Sequence, residues 1–283
     1  MPKHHKKGTN TKIFITLLVV AGVLNLLTRV ENTLFSSIMF TANFAIYVGM
    51  LLFWMQSLTT RLLPTRVRFY IRCTAFFMVF LLLCRVFRYR VVTNDIFLYR
   101  YMIYVYWIPQ VMIPALFLMT SVRIGVGEAE GKKPIDALIL VPAVCLCLLA
   151  LTNDYHFLAY VPTGELELSN FKQGDYTYSF GFFLLNGWMI LTALAGIIVL
   201  IRVTRKHPGR ILPWILLILG VWITLEMILF FVISPYDLPR MYNSPELRVF
   251  GMLGIQEVCI RSRLIPHNDR HIEFFEKITL PVL

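Results

Sequence analysis

Apolar residues run in blocks of about twenty along almost the whole chain, separated by short polar or basic segments. The blocks fall at roughly 11–28, 34–58, 69–88, 100–122, 135–152, 178–203, 211–233 and 247–260. At about 1.5 Å of rise per residue, roughly 17–25 apolar residues cross the hydrocarbon of a bilayer. Most blocks reach that length. The pattern predicts an all-α integral membrane protein, a bundle of about eight transmembrane helices, with seven as the alternative. The first block is short and follows the basic "KHHKK". That layout also fits a secretory signal peptide, but the small-residue cleavage site is poor, so retention is expected. The last block is weak, because Arg248, Glu257 and Arg261 crowd it.

This divides the chain into a basic N-tail (1–10), a polytopic domain (11–260) and a connector (261–283). The longest polar interruption, 153–177, reads "NDYHFLAYVPTGELELSNFKQGDYT", the length of a hairpin or a lid. No internal repeat suggests the inverted halves of a transporter.

Composition strengthens the membrane reading. The chain is 58% hydrophobic and only 15% charged, and its mean hydropathy is +0.68. Soluble domains carry about a quarter charged residues. The net charge of +11 would suggest nucleic acid for a soluble protein; here its placement matters more. Nineteen of the 27 lysines and arginines lie before residue 13, in segments 59–72, 123–133 and 202–210, and beyond 260. Basic residues mark cytoplasmic loops, so both termini are expected inside and nucleic acid is not an expected partner. All five cysteines fall on apolar stretches and read as small buried hydrophobes, with neither disulfide nor zinc spacing.

The candidate chemistry is charge inside the spans. Arg85 lies about 24 Å along the third block and Glu226 about 22 Å along the seventh, at matching depths. They are expected to pair, either as a packing salt bridge or as a ligand or switch site. Near that level lie Arg88, Arg90 and Arg100, with Tyr99, Tyr101, Tyr104, Tyr106 and Trp107 opening the fourth block. These aromatics suit a membrane-interface belt; with the arginines they could instead form an anion or peptide-carboxylate pocket. Pro109 and Pro114 are expected to kink or bend that helix. Asp154 and His156 in "LTNDYH" read as a helix-terminal cap and polar loop start rather than a metal site, and His267, Asp269 and His271 as a solvated turn. No metal or cofactor is expected. HExxH, GxSxG, P-loop and GxGxxG motifs are missing, so no enzyme activity is expected of this chain.

Four stretches, "RYMIYVYWIPQVMIP", "VPAVCLCLLALTNDYHFLAY", "GDYTYSFGFFLLNGW" and "EVCIRSRLIPHN…EFFE", come in the order and spacing of one family. Over about residues 60–280 the chain resembles the bacterial histidine kinase N-terminal seven-transmembrane region. The resemblance implies a multi-pass sensor module in a bacterial plasma membrane. It departs at Arg263, where glycine is expected, and at His267, where serine is usual. No phosphoacceptor box or ATP lid follows, so kinase activity is not carried over.

The expected function is a receptor-like signal-transduction module of a two-component system, with a small-molecule transporter or membrane accessory subunit as the alternative. Expected partners are the bilayer, an unidentified small-molecule or peptide signal, a cytoplasmic kinase or other output partner, and a second copy in a homodimer. Arg85, Arg88, Arg100, Trp107 and Glu226 are the ligand or switch candidates. Asp154 and His156 are the outer-loop candidates, and Glu257, Arg261 and Pro266 the transmission candidates. Beyond Pro266, Asn268 or Asp269 can cap a short helix with Ile272, Phe275 and Ile278 on its apolar edge, ended by Pro281. That piece reads as a connector whose downstream half is absent.

Overall fold

The computed structural model describes residues 6–28, 33–88, 95–126, 133–162, 176–205, 214–218, 220–221, 225 and 244–265. Arg90, Glu226, Pro266 and the connector's apolar edge lie outside them. The ordered elements are α1 (Lys6–Leu27), α2 (Thr33–Arg61), α3 (Arg66–Val86), α4 (Ile96–Val126), α5 (Lys133–Leu151), a single turn α6 (Asn153–His156), strands β1 (Tyr160–Pro162) and β2 (Tyr176–Tyr178), α7 (Phe180–Thr204) and α8 (Ser244–Arg261). Residues 214–218 are also helical. Among the described residues, four helices are long and apolar enough to cross a membrane: Leu34–Arg61, Arg66–Val86, Phe97–Val126 and Phe180–Thr204. Ile13–Leu27 and Ile135–Leu151 are shorter apolar helices.

Local chemistry sets the helix starts. Leu63 and Pro64 separate α2 from α3, and the Thr65 hydroxyl accepts from the Arg68 backbone N–H to cap α3. Asp95 caps α4, accepting from the N–H groups of Phe97 and Leu98 at 2.9 and 3.1 Å. α4 continues through Pro109 and Pro114, both buried. Each proline deletes one backbone donor, and the helices packed around α4 keep it unbroken.

α4 is the hub, packed against α3, α5 and α7. Its Val111 and Ala115 are fully buried. Gly196 of α7 lets that helix approach closely, since a Cβ there would lie 2.6 Å from the Phe117 ring. α8 is buried along most of its length despite its polar residues; Ile255 and Ile260 are fully enclosed. Rings of Phe14 on α1 and Tyr47 on α2 lie against Phe250 of α8, with centroids 6.4 and 5.1 Å away.

The helices define two ends. A basic end gathers the C-termini of α2, α4, α7 and α8, with Arg61, Arg123, Arg205, Arg261 and Arg263. The opposite end carries α6 and the antiparallel hairpin, in which Tyr160 faces Tyr178 and Pro162 faces Tyr176. The cysteine expectation needs correction at one position. Cys84, Cys147 and Cys259 are buried and Cys73 is half-buried, but Cys145 is exposed. It shares the outward face of α5 with Leu138, Val141 and Leu148, where helical spacing turns an apolar residue away from the bundle.

Candidate functional site

Among the described residues, polar side chains cluster between helices at three levels. At the hairpin end, α5 ends and α6 stops at Phe157, whose φ of 51° is left-handed. The tight reversal turns the backbone N–H groups of Ala159 and Tyr160 inward. The Asn153 side-chain oxygen accepts both, at 2.8 and 3.1 Å. Its amide nitrogen donates to the Tyr160 carbonyl at 3.0 Å and to the Tyr104 hydroxyl at 3.1 Å. Tyr104 in turn donates to Asp154 at 2.7 Å. The other Asp154 oxygen pairs with Arg100 at 2.8 Å. The Trp107 indole donates to the Tyr160 hydroxyl at 2.8 Å. Tyr160 packs among Tyr104, Tyr176, Tyr178 and Phe182. Burial pushes its phenol well above the usual tyrosine range, against the lowering effect of the Trp107 bond.

This lock revises two expectations. The aromatic belt is mostly turned inward: Tyr99, Tyr104 and Trp107 are buried, and Tyr101 is exposed. A helix aromatic on several faces does not reveal from its sequence which face meets lipid. Asp154 is an interhelical ion-pair partner, not only a cap. His156 supports the turn: its Nδ1 accepts from the Leu158 N–H at 3.0 Å, and Nε2 lies 3.1 Å from the Thr152 hydroxyl. Among the described residues no group of three His, Cys, Asp or Glu could hold a metal.

The second level joins α8 to α3 and α4. Arg85 pairs with Glu246 at the start of α8, so among the described residues its carboxylate partner comes from the last helix. Two residues further along α8, Arg248 donates to the Gln110 side-chain oxygen at 3.0 Å. Both line a cavity of about 40 Å³ walled by Leu81, Pro114, Met189 and Met252. Arg88 does not join Arg85 and Arg100 in one pocket among the described contacts; its guanidinium lies 5.3 Å from the Tyr99 ring centre.

The third level is the basic end. Glu257 accepts two hydrogen bonds from Arg61, at 2.9 and 3.1 Å, one from the Trp54 indole at 3.0 Å and one from Arg261 at 2.7 Å. Nearby helix ends carry a parallel cluster: Arg123 Nε and the Tyr70 hydroxyl donate to Asp136 at 3.1 and 2.8 Å. α8 ends in a Schellman turn. Arg263 sits at φ 59°, its N–H bonds the Ile260 carbonyl, and the Leu264 N–H bonds the Cys259 carbonyl. The departure from glycine therefore falls on a left-handed residue.

No protein-family model matches the chain, and no curated protein matches it. The site thus stands on its own geometry. It brings together Arg100, Trp107 and Asp154, and separately Glu257 and Arg261. Sequence reasoning missed Asn153, Tyr160, Glu246, Gln110, Trp54 and Arg61. The signal for Asn153 was present in "LTNDYH", where an Asn at a helix end commonly satisfies turn backbone.

Proposed function

We propose that the chain is a multi-pass membrane sensor module that crosses a bacterial plasma membrane about eight times, with its basic end in the cytoplasm. It carries a signal received at the hairpin end or inside the bundle to the connector after Ile265, and from there to a kinase or other output partner. The observation that carries this reading is α8. A helix bearing Glu246, Arg248, Gln256 and Glu257 is expensive to bury in a bundle within lipid. It is held by Arg85 near one end and by Arg61 and Trp54 of α2 at the other. A helix clamped by discrete polar contacts at both ends can move between arrangements as a unit, and a ligand that favours one arrangement shifts the balance. The basic bias supports the orientation. The likeness of "LTNDYH" and "EVCIRSRLIPHN" to bacterial sensor modules supports the class.

A cysteine at Arg263 tests both parts. An impermeant maleimide should label it in inside-out vesicles and not in right-side-out ones, over the native-cysteine background. Glu246→Gln should then change its labelling rate from the far end of α8, non-additively with Glu257→Gln. A folded Glu246→Gln protein with an unchanged rate would remove the coupling on which the reading stands. Solute flux in proteoliposomes would support the transporter instead.

A further inference from the structure

The start of α3 carries charge that the bundle leaves uncompensated. Arg66, Arg68 and Arg72 lie in its first two turns at the basic end, and the first turn holds no acidic residue. Cations there oppose the positive end of the helix dipole. Arg68 donates to the Leu62 carbonyl at 3.1 Å. Arg66 and Arg72 are exposed, and among the described residues neither has a hydrogen bond or an ion pair. The carboxylates described at this end are already engaged: Asp136 by Arg123 and Tyr70, Glu257 by Arg61, Arg261 and Trp54.

The same side of α3 is apolar just beyond the arginines. At 3.6 residues per turn, Phe69, Phe76 and Phe80 fall within about 40° of one another around the helix, with Arg66 and Arg72 on either side. Phe69 is 62% exposed and Phe76 58%. The Phe76 and Phe80 rings are stacked, with centroids 6.3 Å and planes 8° apart. They form a flat apolar strip that begins roughly 15 Å of rise from Arg66. An occupant of this surface needs a negative head for the two guanidinium groups and a long apolar tail for the rings. A phosphate diester with acyl chains has both. An acidic soluble protein has no use for Phe76, which lies halfway along a helix long and apolar enough to cross a membrane. Guanidinium forks match phosphate oxygens. A headgroup that carries its own cation is disfavoured so near three arginines.

We propose that the outward face of α3 binds an anionic phospholipid of the phosphatidylglycerol class, its phosphate between Arg66 and Arg72 and an acyl chain along Phe69, Phe76 and Phe80. The inference rests on the membrane placement in the proposed function and goes beyond it by naming a lipid partner and its site. α7 supplies the contrast. Its Arg202 and Arg205 are also exposed, but they stand at a helix C-terminus, where the dipole already favours a cation.

The test is native mass spectrometry of the full chain in detergent micelles, titrated with dioleoylphosphatidylglycerol and, in parallel, with dioleoylphosphatidylcholine. The first phosphatidylglycerol should bind saturably and about tenfold more tightly than phosphatidylcholine. Arg66→Gln combined with Arg72→Gln should remove most of that preference and leave phosphatidylcholine binding unchanged. Phe76→Ala should weaken phosphatidylglycerol severalfold. Arg202→Gln combined with Arg205→Gln should change its affinity by no more than about twofold, because separated surface charges are screened. Glycerophosphoglycerol, the same head without chains, should not compete. Equal affinity for the two lipids, or full phosphatidylglycerol binding in the Arg66 and Arg72 double variant, would overturn the proposal. So would an equal loss in the Arg202 and Arg205 variant, which would mean diffuse attraction to the whole basic rim. Undiminished binding in Phe76→Ala, or competition by glycerophosphoglycerol, would overturn a lipid as the occupant. If the arginine double variant fails to fold, Arg72→Gln alone decides: an undiminished preference there overturns the site. Should the preference be absent while Arg263→Cys labels only in inside-out vesicles, the lipid site falls and the membrane placement stands. A preference with labelling from the opposite side keeps the site and overturns the orientation.

Discussion

Glu257 and Arg61 face each other through two hydrogen bonds, 2.9 and 3.1 Å long, although 196 residues separate them. The pair ties the C-terminal turns of α2 and α8 together at the basic end. Glu257→Gln should lower stability by about 1–3 kcal/mol. The lower part of that range applies because the Arg61 side chain is 32% exposed, so solvent screens part of the interaction. A thermal midpoint in detergent measures it. The exchange Arg61→Glu with Glu257→Arg should recover only part of the loss, since Trp54 and Arg261 also bind the carboxylate.

Asn153 should matter more than Tyr104. Asn153→Ala leaves two buried backbone N–H groups without acceptors, at a cost of about 2–4 kcal/mol. Tyr104→Phe removes single bonds and should cost about 1 kcal/mol. Reversal of that order in thermal unfolding would show that the Asp154–Arg100–Tyr104 chain, not the Asn153 turn, holds the hairpin end.

Two glycines of α7 should respond in opposite ways. Gly196→Ala places a methyl into the Phe117 ring and should cost about 1–3 kcal/mol, partly relieved by Phe117→Leu. Gly187→Ala meets nothing within 4 Å and should be tolerated or mildly stabilising, because alanine favours helix by about 1 kcal/mol over glycine.

Arg263→Gly should stabilise the end of α8. A side chain at φ 59° pays a left-handed penalty of about 1–2 kcal/mol, offset by the extra unfolded-state freedom of glycine. The net gain expected is about 0.5–1 kcal/mol, read as a higher unfolding midpoint. Arg263→Ala should give no such gain.

Alkaline pH should loosen the hairpin end. The Tyr160 pKa is raised by burial, so its neutral form belongs to the folded state. Its contribution is intact below the unfolded tyrosine pKa of about 10 and is lost as pH rises beyond it. Tyr160→Phe should flatten that alkaline decline in thermal midpoint. At neutral pH it should cost about 1 kcal/mol, because the Trp107 N–H loses its acceptor.

By itself the sequence determined the class of molecule. Runs of apolar residues long enough to cross a bilayer survive any detail of packing, because the cost of exposing them to water is set by length and composition. α2, α3, α4 and α7 accordingly fall on the predicted blocks. Partners were decided only in three dimensions. Depth along a helix can be counted, but depth does not say which neighbours lie alongside: Arg85 meets Glu246, from a helix whose polarity makes it look weak as a span, while Glu226 lies outside the described residues. The same applies to Tyr104 and Trp107, whose inward orientation is hidden in a stretch aromatic on several sides. Hydropathy records what a segment costs to bury. Which polar groups meet to repay that cost depends on contacts between segments up to 203 residues apart, as Trp54 and Glu257 are, and only the packed bundle sets those.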